Sequence, residues 1–486
     1  MKRILSALLA GLMLSGTLAA CSETPAKDMV QDTSAPESAA ETTTEPPETE
    51  KIYARERKNF NGKNFNVIAD MNTGNGLYYE DLNVAEENGD ALNDAIYKRN
   101  LRVSEEYGVK LSSLCEIESE AKMVNAVSAG DPVFDAAALR LTDAYKYITY
   151  CTDMSKLDSL SLDASWWDKN AVESLSIAGS LKMIAGDIFY GHYNGVYMML
   201  FNKKMYADLG LEDPYALVRD GKWTLDKFGE LAAKATQDLN GDSVMDRYDR
   251  YGFASQAKGF AMSIINGSGM RLISKDKDDI PIDTVDVEKL DAVFKKYDPT
   301  FVKHTYDATR DARDANESAF WVFPEGRSLF FFALPNYITW KLRDVQFDYG
   351  ILPIPKYDEA QEEYYSTMAS FHSYVYMIPK SASSAEDSAY IMDVLAFWGE
   401  EYVKPAYYEI TLQRKLSKDA ESAEMLDIIF ANMIYDLGYY AKFGGFYTAF
   451  AKAASNGQEM NFASMYASCK AKIELDIADY IKAVGD

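Results

Sequence analysis

Asn64-Phe65-Asn66-Val67-Ile68-Ala69 opens the stretch that decides the fold, and Phe134-Asp135-Ala136-Ala137-Ala138-Leu139-Arg140 closes it. In the first run Phe65, Val67 and Ala69 alternate with their neighbours, which is the period of a strand. From Ala91 to Tyr107, the side chains of Leu92, Ala95, Ile96, Val103 and Tyr107 share one face at helical spacing. Asp90 can cap the start of that helix and Gly108 its end. Val109 to Leu114 reads as a second strand, Glu118 to Ala129 as a helix stopped by Gly130, and Phe134 to Arg140 as a third strand. The order β-α-β-α-β implies a right-handed parallel sheet with helices on its faces. Ligands of such sheets bind beyond the carboxyl ends of the strands.

A second α/β block starts near Gly195. Val196 to Phe201 is an apolar run that reads as a buried strand, and a helix follows from about Leu225 to Thr236. Leu329 to Ala333, Tyr349 to Leu352 and Tyr374 to Ile378 read as further strands. Helices dominate from Ala385 onward, and the chain shows no internal repeat.

Toward the N-terminus, Lys2 and Arg3 precede an apolar stretch from Ile4 to about Leu18, then Ala19, Ala20 and Cys21. A basic start, a short apolar middle and small residues at the end make residues 1–20 a secretory signal peptide. The stretch is shorter than the roughly 20 apolar residues of a spanning helix. Leu18-Ala19-Ala20-Cys21 resembles the lipobox of bacterial lipoproteins, in which the Cys becomes the first mature residue and carries lipid such as palmitate. Residues 21–50 are rich in Thr, Glu, Pro and Ser with almost no large apolar side chains, so they cannot offset their ordering entropy. They read as a disordered tether with an r.m.s. reach of roughly 30 Å.

The net charge is -25, and loss of Lys2 and Arg3 would leave the chain more acidic still. Such a surface repels phosphate backbones, which argues against a nucleic-acid partner. Roughly 430 residues beyond the tether suffice for a large core and two or three domains. Cys115, Cys151 and Cys469 cannot all pair internally; one disulfide with a thiol, or three thiols, are both open. His192, His304 and His372 stand far apart, and neither H-E-x-x-H nor C-x-x-C occurs, which disfavours a zinc enzyme.

Several local patterns resemble the extracellular solute-binding proteins of bacterial sugar importers. They are Gly89-Asp90-Ala91-Leu92-Asn93-Asp94 with Tyr97, Arg99 and Asn100; Leu162-Asp163 with Trp166-Trp167; Tyr197 to Phe201 followed by Asn202-Lys203-Lys204; Gly221-Lys222-Trp223-Thr224; Glu325-Gly326-Arg327; and Tyr349-Gly350 through Pro353 to Tyr357. The likeness covers most of residues 64 to 400. It implies an α/β, two-lobed periplasmic-binding-protein-like fold of type II. Each lobe is a mostly parallel sheet flanked by helices, and the C-terminal part is helical. By the resemblance, 55–187 with 356–400 form one lobe and 188–355 with 401–486 the other. The lobes close on ligand like a clam. The implied partners are a small carbohydrate, the permease subunits of an ABC importer, and the membrane through lipid on Cys21. The protein is expected to be monomeric and not an enzyme.

Asp238-Leu239-Asn240-Gly241-Asp242-Ser243-Val244-Met245-Asp246-Arg247-Tyr248-Asp249 places oxygen groups at positions 1, 3, 5, 9 and 12 of a calcium-like loop. Asp238, Asn240, Asp242, Asp246 and Asp249, with the backbone carbonyl of Val244, are the candidate ligands of a structural Ca2+. Ser243 stands where such loops carry Gly, and Asp249 where they carry Glu. No helix clearly follows, so the loop is half of an EF-hand.

Aromatic residues make up 13% of the chain, and a sugar site pairs aromatic platforms with a few placed polar groups. Near strand ends and crossovers stand Trp166, Trp167, Tyr190, Tyr193, Asn194, Asn336, Tyr337 and Trp340. Asp70 and Asn72 follow the first strand, and Arg140 ends the third. Asn336 occupies the place after Pro335 where sugar-binding relatives carry an aromatic contact. Trp321 and Trp398 read as core, and Asp94 and Arg99 as capping or solvated residues. The alternative function is a secreted polysaccharide-acting enzyme such as a glycoside hydrolase, which needs two carboxylates across a cleft. No hydrolase pattern appears, and Asn266-Gly267-Ser268-Gly269 is not a nucleophile elbow, because one residue separates its glycines.

Overall fold

The computed structural model describes residues 51–71, 82–307, 319–340, 342–413, 420–456 and 458–485. The expected signal peptide, Cys21, the tether and Asn72 lie outside the described residues, as does the side chain of Trp340. The first sheet contains β1 (Lys63–Asp70), β2 (Val109–Glu116) and β3 (Ala136–Arg140), linked by α1 (Ala91–Tyr107) and α2 (Ser119–Ala129). Asp90 caps α1 by accepting from the backbone N–H of Leu92 and Asn93, and Gly108 ends it in the left-handed conformation. These elements match the reading of the sequence closely, because each is local and strongly patterned.

The second sheet is built from β4 (Met198–Asn202), β5 (Tyr251–Ser255), β6 (Thr305–Asp307), β7 (Ser328–Ala333) and β8 (Tyr349–Leu352). Its strand order is β6-β5-β7-β4-β8, and β4 runs antiparallel to both neighbours. The chain then returns to the first sheet. There β9 (Tyr374–Met377) runs antiparallel to β3, with Tyr374 opposite Arg140, and the order is β9-β3-β1-β2. Both sheets are therefore mixed. β5 and β6 carry no alternation that sequence reading could use. β5 is buried on both faces and holds Gly252, whose missing Cβ leaves room for the Ala232 carbonyl oxygen of the neighbouring helix.

The segment 162–194 lies between the two sheets in the chain, with α3 (Lys169–Leu175) inside it. After β9 come α4 (Ala385–Trp398), α5 (Lys404–Gln413), α6 (Ala420–Ala431) and a final helix, Phe462–Gly485. From Ser388 to Trp398 every residue of α4 is buried, so this helix is covered on all sides and sits inside the core. At its centre is the carboxylate of Asp393. It accepts hydrogen bonds from the Tyr53 hydroxyl at 2.6 Å, the Ser161 N–H and hydroxyl at 3.0 and 2.9 Å, and the indole N–H groups of Trp166 and Trp167 at 3.0 and 2.8 Å.

Trp398 is core as read, whereas Trp321 is 44% exposed, a surface residue of the short helix before β7. Arg99 is not solvated; it is fully buried and donates to the Ile188 carbonyl. No disulfide joins Cys115, Cys151 and Cys469 to one another. Among the described residues no helix is long and apolar enough to cross a membrane.

Replacing Asp393 with Ala strands several donors in a dry interior. It should cost about 3 kcal/mol or more of unfolding free energy, read by urea melts followed through tryptophan fluorescence.

Candidate functional site

Because β1 and β3 are parallel neighbours, their last residues meet at one edge of the first sheet. Asp70 ends β1 and Arg140 ends β3, and the Arg140 guanidinium donates to the Asp70 carboxylate. Tyr374, first in β9, donates its hydroxyl to the Asp70 backbone carbonyl at 3.0 Å. Asp143 follows one turn after Arg140, 3.2 Å from its guanidinium, and Glu120 comes from the first turn of α2. Oxygens of Asp70, Glu120 and Asp143 lie within 4.8 Å of one another, the one such group of three among the described residues. Burial holds the carboxyls of Asp70 and Glu120 above the usual range, and the Arg140 charge pulls both back down.

The second sheet reaches the same edge through the short helix Pro335–Trp340 that follows β7. Asn336 and Tyr337 are both buried, and the Tyr337 ring stands edge-on to the imidazole of His372 at 6.4 Å. His372 sits in the turn before β9, which is pinned to the first sheet by Thr142 N–H donating to the Ser370 carbonyl and Leu141 N–H to that of Ser373. Burial, followed by the Arg140 charge, pushes His372 down to about 4, so it is neutral at pH 7. Beside it Phe371 is 42% exposed, with the Lys442 ammonium 4.9 Å from its ring centre. The arrangement offers an open aromatic face beside hydrogen-bonding groups of both signs.

Four of the residues singled out in the sequence therefore meet here: Asp70, Arg140, Asn336 and Tyr337. Glu120 joins them from the first turn of a helix that the sequence shows, and Asp143, Phe371, His372 and Lys442 from turns whose positions no periodicity reveals. The remaining described candidates lie along the segment 162–194, where Phe189, packed on Tyr190, stands with its ring centre 5.9 Å from that of Tyr374. The N–H groups of Trp166 and Trp167 are held by Asp393, which leaves their rings, not their donors, to meet a ligand. Tyr190 and Tyr193 stack on Tyr407 with ring centres 5.4 and 5.7 Å away. Asn194 accepts from the Tyr407 hydroxyl at 2.9 Å, and Tyr193 donates to Asp187 at 2.7 Å.

Asp187 is 4% exposed, with Lys404 at 3.5 Å and His192 at 3.8 Å. Burial pushes its carboxyl up to about 6; Lys404 and the Tyr193 hydroxyl oppose the rise and Glu400 adds to it. His192 is pushed down to about 3 by burial and stays neutral.

In the calcium-like loop, Asp238 accepts from the N–H groups of Gly241 and Ser243 at 2.7 and 2.8 Å. Asp242 and Asp246 accept from Val244 and Tyr248, and the fully buried Asp249 from Leu239 and Asp246. Asn240 accepts from Asp242 N–H at 2.9 Å. Ser243, in place of glycine, has φ +65°, and a strand rather than a helix follows. The loop is thus folded back on its own amides.

Residues 115–400 match the family model described as bacterial extracellular solute-binding protein. No curated protein matches the sequence. Among solved structures, an ABC substrate-binding protein from Listeria monocytogenes in complex with cycloalternan is 13% identical. The match covers 85% of this chain and 99% of that one, with a TM-score of 0.52. A maltose-bound protein of T. maritima is 15% identical over 85% of this chain and 100% of its own, at 0.53. A family 1 extracellular solute-binding protein from Bifidobacterium longum subsp. infantis is 13% identical over 85% and 100%, at 0.55. These likenesses establish the fold.

A carboxyl that is more basic in the folded than in the unfolded chain stabilises the fold only while protonated, and that contribution is lost as pH rises through the folded value. For Asp187 the window lies between about 4 and 6. On acidification from pH 7 to 5, the parent should gain about 1 kcal/mol relative to Asp187→Asn, read from paired thermal melts.

Proposed function

We propose that this chain, which belongs to the bacterial extracellular solute-binding protein family, captures a small carbohydrate, an oligosaccharide by preference, and delivers it to the permease of an ABC importer. The observation that carries this reading is the meeting of Asp70 and Arg140 from one sheet with Tyr337 from the other, beside the open ring of Phe371. Sugars present apolar C–H faces and a rim of hydroxyls, and such a site pairs aromatic surface with a few fixed polar groups. Two of the similar structures are described with cycloalternan and with maltose, which supports the ligand class.

In this reading 55–187 with 356–400 and 188–355 with 401–486 are the two lobes. The ligand bridges them and favours the closed state by its differential affinity. Residues 1–20 direct export, Cys21 carries the lipid that holds the protein at the outer face of the cytoplasmic membrane, and 21–50 are the leash. The receptor works as a monomer. Asp238, Asn240, Asp242, Asp246, Asp249 and the Val244 carbonyl hold a structural Ca2+.

A thermal-shift screen of the mature protein against mono- and oligosaccharides tests the function. The cognate sugar at 100 times its Kd should add about 2.7 kcal/mol of stability with no product formed. Released product would instead establish a hydrolase, and a flat response to every sugar would sink the carbohydrate reading. Tyr337→Ala and Phe371→Ala should each weaken binding about tenfold or more; the melting temperature of the free protein should hold in Phe371→Ala, whose ring is exposed, and fall in Tyr337→Ala, whose ring is buried. Chelator should lower that melting temperature, and Asp238→Ala should abolish the response; indifference to chelator returns the loop to a self-bonded turn.

A further inference from the structure

A cavity of about 710 Å3 is lined by the 162–173 stretch, by Asp187 to Tyr193 and by the helices after β9. One wall is the 162–168 loop with the start of α3. The other is formed by Asp187 to Tyr193 with α5 and α6. None of the strand-end residues lines it. The volume is that of a small-molecule site.

The chemistry of its walls is one-sided. Asp163, Asp168, Asp187 and Asp427 line it, with Asp168 held by the first turn of α3 and by the Tyr435 hydroxyl at 2.6 Å, and Glu173 at its margin is 3.8 Å from the outward Lys169. Lys404 is then the one inner cation among the lining residues. His192, also in the wall, is neutral. Lys404 shows what the wall accepts: its ammonium lies 3.5 Å from the Asp187 carboxylate and 5.8 Å from the centre of the Tyr193 ring. The aromatic surface continues beyond it. Tyr193, Tyr408 and Phe430 form a connected corner, with ring centres 4.7, 5.6 and 6.3 Å apart. Asp427, at the rim of this corner, accepts from the Tyr408 hydroxyl at 3.4 Å. Aromatic faces joined to carboxylates attract alkylated ammonium groups, because ring quadrupole and charge act together and the methyl groups bury against the rings.

We propose that this cavity is a second binding site, separate from the sugar site, and that it takes a small alkylammonium ion seated on the Tyr193–Tyr408–Phe430 corner between Asp187 and Asp427. The occupant touches the passage between the sheets and the helices after β9 at once, so it ties together two parts of the chain that the sugar site does not.

The test is calorimetric titration of the full mature protein with choline and with its neutral carbon analogue, 3,3-dimethyl-1-butanol. Choline should bind, and the analogue should bind about tenfold more weakly or not at all. Asp427→Asn, at an exposed position, should weaken choline about tenfold and leave the sugar response unchanged. Tyr337→Ala should do the reverse. Tyr408→Leu gives an independent loss through the ring rather than the charge. Absence of choline binding up to millimolar concentration, equal binding of the neutral analogue, or indifference to both Asp427→Asn and Tyr408→Leu overturns the proposal. Competition of choline with the sugar, or its loss in Tyr337→Ala, would place it at the strand-end site and overturn the proposal equally.

Discussion

One buried carboxylate organises the part of the molecule that joins its two sheets. Asp393 takes bonds from Tyr53, Ser161 and both indoles of the Trp166–Trp167 pair, and no apolar residue could replace it without stranding those donors. The loop so fixed presents the Trp166 carbonyl to the N–H of Asp187 at 2.8 Å. The next residue, Ile188, is held by the guanidinium of Arg99, reaching from the first helix. On the far side Gly399 approaches the Asp187 carbonyl so closely that a Cβ there would lie 1.8 Å from the oxygen. The chain thus leaves the first sheet along a track defined by hydrogen bonds and by the absence of a side chain at one position.

The periodic elements of the fold are legible in the sequence because their signals are local. Ala91–Tyr107 carries its cap, its apolar face and its terminating glycine within one stretch, the strand at 63–70 alternates, and that at 349–352 is a short apolar run. The strand at 251–255 is not legible, since a doubly buried strand with a glycine in it has no period, and that at 305–307 is too short to show one. Pairing direction is hidden for a different reason: that Tyr374 lies opposite Arg140 depends on where the chain returns, which no window of sequence contains.

The candidate site divides along the same line. Asp70 and Arg140 are visible because they end strands, and Tyr337 because it follows one. His372 and Phe371 sit in an irregular turn, and their role rests on what that turn packs against. The paired tryptophans show what sequence leaves open: an aromatic doublet near a crossover looks the same whether its N–H groups face a ligand or an internal acid, and here they face Asp393. Arg99 misleads: a buried arginine is rare enough that a charged helix residue reads as solvated.

The antiparallel pairing of β9 with β3 has a consequence for how the chain acquires its shape. The first three strands and two helices form a nearly complete unit of local contacts, yet β3 keeps an open edge until Tyr374–Met377 has been added, after the whole second sheet in the chain. Asp393 lies later still, so Tyr53, Ser161 and the two indoles wait for an acceptor that arrives from near the other end of the sequence. An incomplete chain presents an unpaired strand edge and unsatisfied polar groups together, the combination that invites association between copies. High contact order of this kind slows folding. The molecule is therefore best kept unstructured until its last third is available, and its vulnerability to misassembly lies in the interval before the edge is sealed.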